Sequence, residues 1–299
     1  MDTRERLMDD TLRDWLLGTD NPGVRVRTLT DLCGLAEDDA QVRQARESVV
    51  PWLPAARDPG WMALEGLASV YGLVALAECG LTRSDLPIEP VVDRLLSLPF
   101  DAGCGDLLTL RALVMLGYAH DPRVQARLGH AAEVQRPDGG WLCLHRVNKM
   151  DHPPKSCIKA AMHGALLAAE LARRGISMAG SPALVDYFVR RRLFYRTDDP
   201  SRLVLGARPG WRTVDVFMPS EVQRVGLPML LYALATLGAG QAPEMQEAWA
   251  LLESKRDAKG RVLLEGTLAK PYLPKERVGK PSKWATLYAC LAWQARERG

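Results

Sequence analysis

Residues 104–118 are the stretch that most constrains the fold: Cys-Gly-Asp-Leu-Leu-Thr-Leu-Arg-Ala-Leu-Val-Met-Leu-Gly-Tyr. Leu107, Leu108, Leu110, Ala112, Leu113, Val114, Met115 and Leu116 leave almost no polar side. A helix that is apolar all round must be buried all round. Gly117 ends it, and Asp121-Pro122 restarts the chain as N-cap and first helical residue. The following helix is amphipathic. Val124, Leu128 and Ala131 mark one side, and Arg123, Gln125, Arg127 and Glu133 the other. The pair is a hairpin of one buried and one half-buried helix. This unit recurs loosely at intervals of roughly 40 to 70 residues, which predicts a stacked or circular architecture.

Buried helices are expected over Val24–Leu35, Leu64–Cys79, 104–116, Cys157–Arg173, Val225–Leu237 and Trp284–Gln294. Their amphipathic partners are expected over 4–17, Asp39–Leu53, Pro90–Leu98, 121–134, Ser181–Leu193 and Pro243–Lys255. No strand alternation interrupts them, so the predicted class is all-α. Six inner and six outer helices suffice for a closed ring in one domain spanning 1–299. The alternative is an open, HEAT-like array.

The central hairpin ends in Gln135-Arg136-Pro137-Asp138-Gly139-Gly140-Trp141. This closely resembles the Gln-to-Trp element of the prenyltransferase and squalene-cyclase repeat. The resemblance implies an α/α toroid, with inner helices ringed by outer ones. It is sharp only over residues 104–141. Asp58-Pro59-Gly60-Trp61 is a degenerate echo, and Lys255–Arg261 a weaker copy without the tryptophan. In that family the element clamps the scaffold, so it speaks for fold more than for chemistry.

Links from outer to inner helix are mostly long, and so gather at the end where the inner helices begin. Long loops are usually functional. Helix N-termini there favour an anionic or polar head group, with an apolar tail inside the ring. The candidate ligand-binding residues are Trp141, Lys155, Trp211, Phe217, Tyr232, Lys283 and Trp284. Trp211 and Phe217, in the longest link, are the candidates for a lid. The basic residues read equally as solvated charges, and most of the aromatics as core packing.

Asp106, at the mouth of the apolar helix, is the lone candidate general acid, with capping of that helix as its structural alternative. His163, on an inner helix, is the second catalytic candidate and equally a core histidine. Cys143, His145 and Cys157 are the candidate zinc ligands, by residue type; reduced packing thiols are the alternative. The resembling family uses Asp-x-Asp-Asp in its cyclases, and an Asp, Cys and His zinc set in its protein prenyltransferases. The first pattern is missing here. The lone Asp-x-Cys, Asp31-Leu32-Cys33, lies away from the long-loop end.

The resemblance therefore implies a terpene-cyclase- or prenyltransferase-like protein that holds an isoprenoid or other long apolar ligand. A non-catalytic toroid for a lipid, peptide or protein partner is the second reading, and a zinc-dependent prenyltransferase-like enzyme the third. The formal charge of +3 over 299 residues gives no argument for nucleic acid. No apolar run reaches membrane-spanning length. The charged N-terminus and scattered cysteines predict a cytoplasmic protein.

Overall fold

In the computed structural model, which describes residues 9–142, 155–204, 225–266, 273–274 and 276–299, amphipathic and largely buried helices alternate along the chain. The amphipathic ones are α1 (Asp10–Leu16), α3 (Ala40–Glu47), α5 (Glu89–Ser97), α7 (Pro122–Glu133), α9 (Ser181–Val189) and α11 (Gln246–Glu253). The buried ones are α2 (Pro22–Arg27), α4 (Leu67–Glu78), α6 (Cys104–Leu113), α8 (Ile158–Ala172), α10 (Leu227–Leu234) and α12 (Lys283–Arg298). A π-helical turn prolongs α2 over Thr28–Leu32, whereas the turns that follow α6 (Val114–Tyr118) and α10 (Ala235–Ala239) are broken by Gly117 at φ +97° and Gly238 at φ +92°. The described residues are thus all-helical, with isolated bridges but no strand.

Local chemistry sets the boundaries. Asp9, Asn21, Asp39, Asp121 and Ser282 each accept a backbone N–H from the first turn of the following helix. Pro22 and Pro122 occupy first helical positions, where a missing N–H costs nothing. Helix α9 ends at Val189, four residues short of expectation, because Arg192 and Leu193 take left-handed backbone conformations.

The buried helices pack on one another in chain order. Helix α4 contacts α6, α6 contacts α8, α8 contacts α10 and α10 contacts α12. Helix α12 contacts α2 and its π turn. Helix α2 meets the end of α4, where Gly23 lies against Cys79 and Val26 against Gly80. Amphipathic helices α3, α7, α9 and α11 contact α2, α6, α8 and α10 in turn. The core runs through every unit. No helix among the described residues is long and apolar enough to cross a membrane.

A tryptophan fastens two of the units in the same way. The Trp141 indole N–H donates to Ala131 O of α7 at 2.8 Å, and its ring fills the space beside Gly164 of α8. The Trp61 indole N–H donates to Ala55 O at 2.7 Å, and its ring fills the space beside Gly72 of α4. Gln135 donates to Gly139 O and Gly180 O, at 2.8 and 3.2 Å. The weak copy keeps the turn without the indole. Asp257 N donates to Arg261 O as Arg136 N does to Gly140 O, and Gly260 at φ +75° matches Gly139 at +89°. Val262 stands where Trp141 stands: its carbonyl accepts from Ser282 N as Trp141 O accepts from Cys157 N.

Candidate functional site

The end at which the buried helices begin carries most of the residues that the sequence nominates. Asp106 is the third residue of α6. Its Oδ2 accepts from Gly103 N at 3.0 Å and Asp101 N at 3.1 Å, so it closes the helix start from within rather than as the N-cap itself. Burial raises its carboxyl above the ordinary value, against those two N–H groups. His163 is fully buried in the second turn of α8.

The cationic candidates are already matched. Lys283, the first residue of α12, is buried, bonded to Asp20 and set 5.5 Å from the Trp15 ring. Lys155 pairs with Asp198 at 2.9 Å, both well exposed. Trp141 and Trp284 are buried, each 1% exposed. Cys157 is the half-buried N-cap residue of α8. Trp211, Phe217, Cys143 and His145 lie outside the described residues. Among those that are described, no group of three or more His, Cys, Asp or Glu side chains could hold a metal ion.

This end also collects apolar surface. The large hydrophobic side chains exposed among the described residues are Leu64, Leu67, Leu98, Val134 and Val278. Each sits where an outer helix finishes or a buried helix is about to begin. Arg94 donates to Met62 O and Leu64 O, and Arg127 to Leu96 O and Leu98 O. Each outer-helix arginine so ties down the link of the preceding unit.

A charged cluster joins all six buried helices, and it went unseen in the sequence. Arg27 (α2), Glu78 (α4), Arg111 (α6), Glu170 (α8), Tyr232 (α10) and Tyr288 (α12) are each 4% exposed or less. Arg111 Nη2 lies 2.6 Å from Glu78 Oε1 and donates to the Tyr288 hydroxyl at 2.8 Å. Tyr288 donates to Glu78 Oε2 at 2.6 Å. Arg27 reaches Glu78 at 3.2 Å on one side and Asp31 on the other. Asp31 accepts from Arg173 at 2.6 Å, and Glu170 pairs with Arg174 at 3.0 Å and accepts from Tyr232 at 3.3 Å. Tyr232 was expected to line an apolar lumen. Its hydroxyl instead serves this cluster, and its ring packs edge-on to Tyr288 at 5.7 Å.

Burial alone would neutralise Asp31 and Glu170, but the guanidiniums outweigh it. Arg27 and Arg173 hold Asp31 well below the ordinary carboxylate range. Arg173 and Arg174, with Arg27 and Arg111 behind them, bring Glu170 down to about 2. Burial, reinforced by the carboxylates, pushes the Tyr232 and Tyr288 hydroxyls up, so both stay protonated. Buried charges are tolerated only when paired and hydrogen-bonded. The network meets that condition, and one of its hydrogen bonds, Tyr288 to Glu78, joins residues 210 apart in sequence.

No protein-family model and no curated protein matches the chain.

Proposed function

We propose that the chain is an α/α toroid of the prenyltransferase and squalene-cyclase type, with α2, α4, α6, α8, α10 and α12 as its inner circle. It binds a long apolar, isoprenoid-like small molecule at the end where those helices begin. The observation that carries this reading is the placing of Leu64, Leu67, Leu98, Val134 and Val278 at that one end. Scattered single apolar residues need no explanation, but gathered ones mark binding surfaces. The charged cluster supports the same polarity. It lies deeper along the inner helices than that end, where an apolar chain would have to strip guanidinium–carboxylate pairs to pass. The reading keeps the protein cytoplasmic and without a nucleic-acid partner.

Binding, rather than turnover, is the function that the geometry favours, because Asp106 already spends Oδ2 on two backbone N–H groups. One observation favours an enzymatic version: burial keeps that same carboxyl raised, as a general acid requires. In that version Asp106→Asn abolishes turnover of a demonstrated substrate without unfolding the chain, and His163→Ala does the same. The zinc-dependent version is tested by metal analysis of protein purified without added zinc; less than stoichiometric zinc removes it.

The binding reading is tested by native mass spectrometry of the purified chain, and by thermal shift with farnesyl and geranylgeranyl diphosphate against inorganic diphosphate. A co-purified lipid, or a larger shift with the prenyl compounds than with diphosphate alone, is expected. Equal shifts with no bound lipid would contradict it and would favour a protein or peptide partner.

A further inference from the structure

A cavity of about 220 Å³ opens at the opposite end, between the C-terminal ends of α2, α4 and α8. One water needs roughly 10–15 Å³ by that measure, so the space holds a small molecule. Arg27, Arg173 and Arg174 are among its lining residues, and so are the apolar Val26, Leu81 and Met115.

The lining sets Arg27, Arg173 and Arg174 against Asp31, Glu37 and Glu170, and Glu37 is held by Arg46 from outside the lining. Arg174 engages only Nη1, on the carbonyl and carboxylate of Glu170, which leaves Nε and Nη2 uncommitted among the described residues. Its side chain is 35% exposed, and that of Arg173 30%, so both can be reached from solvent. Deeper in, Arg27 Nη2 and Arg111 Nε are buried without a hydrogen-bond partner among the described residues, and buried donors are rarely left so. Helix C-termini repel anions, so the guanidiniums alone give this end its affinity for one. Glu37, paired with Arg46, stands on the lip and disfavours a highly charged ligand.

We infer that this cavity binds a compact metabolite carrying one oxyanion group, a phosphate monoester or a carboxylate. Arg174 and Arg173 grip the oxyanion, and the apolar wall of Val26, Leu81 and Met115 packs the carbon body. A planar fork of N–H donors suits such a group. The inference does not depend on the proposed apolar ligand, which occupies the other end.

Calorimetric titration of the full chain with inorganic phosphate and with acetate, at ionic strength fixed with sodium chloride, tests it. Saturable binding of at least one probe is expected, and the tighter of the two names the head group. Arg174→Gln should weaken it tenfold or more; Arg57→Gln, at the end where the buried helices begin, should leave it unchanged. Thermal unfolding of each variant without ligand checks that the fold persists. Phosphate and acetate acting no differently from chloride would overturn the inference, as would undiminished binding by a folded Arg174→Gln variant.

Discussion

The ring of Trp141 lies where a side chain on Gly164 would have to go. A methyl group there meets the indole, and the outer helix that Trp141 caps through Ala131 O is pushed away with it. Gly164→Ala should therefore destabilise by about 1–3 kcal/mol, the usual cost of overpacking. Gly129 is the control. It sits on the exposed side of α7 with open space around it. Gly129→Ala should stabilise by about 0.5–1 kcal/mol. Urea unfolding of both variants checks the pair, and equal effects would deny the clamp its role.

Glu78 and Arg111 make the most deeply buried ion pair of the cluster, 0% and 1% exposed. Removing one partner strands the other charge, so Glu78→Gln or Arg111→Met alone should cost about 3–5 kcal/mol. Removing both together should cost less than the sum of the two. Denaturant unfolding at neutral pH reads all three variants.

Acid should loosen the same cluster. Glu170 falls from an ordinary 4.5 to about 2 in the folded chain, and Asp31 is likewise depressed. A carboxyl depressed by folding stabilises at pH above its unfolded value, and that stability drains away as pH falls toward the folded one. Stability should thus drop between about pH 4.5 and 2. The Glu170→Gln variant should show a flatter profile over that window. Thermal melts across the range measure both.

Cysteine reactivity offers a separate check on packing. Burial pushes the Cys290 thiol up to about 12 and raises Cys79 as well, and both are inaccessible. Cys33 is exposed. Iodoacetamide at pH 8 should label Cys33 in the native protein and spare Cys79 and Cys290 until it unfolds. Peptide mass mapping distinguishes them.

The alternation of buried and half-buried helices was legible because periodicity is a property of many residues at once. Leu107 to Leu116 needed no tertiary information to read as a buried helix. The Gly-Gly-Trp turn was legible too, since glycine at positive φ and a tryptophan just beyond it leave few local alternatives. The cluster was missed for the converse reason. Arg111 stands alone between Leu110 and Ala112, and Glu170 alone among alanines and leucines. An average over the helix hides one charge. The available signal was a single charge inside one apolar run after another, Glu78, Arg111 and Glu170. Single charges that buried helices cannot leave unpaired must find each other. Arg27 and Asp31 were harder, because they lie at a helix end where charges are ordinary. The early stop of α9 had no such sign, since neither Arg192 nor Leu193 favours a left-handed backbone.

The measurement closest to the centre of this account is a double-mutant cycle between Arg111 and Tyr288, 177 residues apart in sequence and joined by one hydrogen bond at the meeting point of the buried helices. Stability is measured for Arg111→Met, Tyr288→Phe and the double variant. A coupling of about 1 kcal/mol or more is expected for partners in one buried network. Additivity to within about 0.3–0.5 kcal/mol would mean that these helices do not share a common centre.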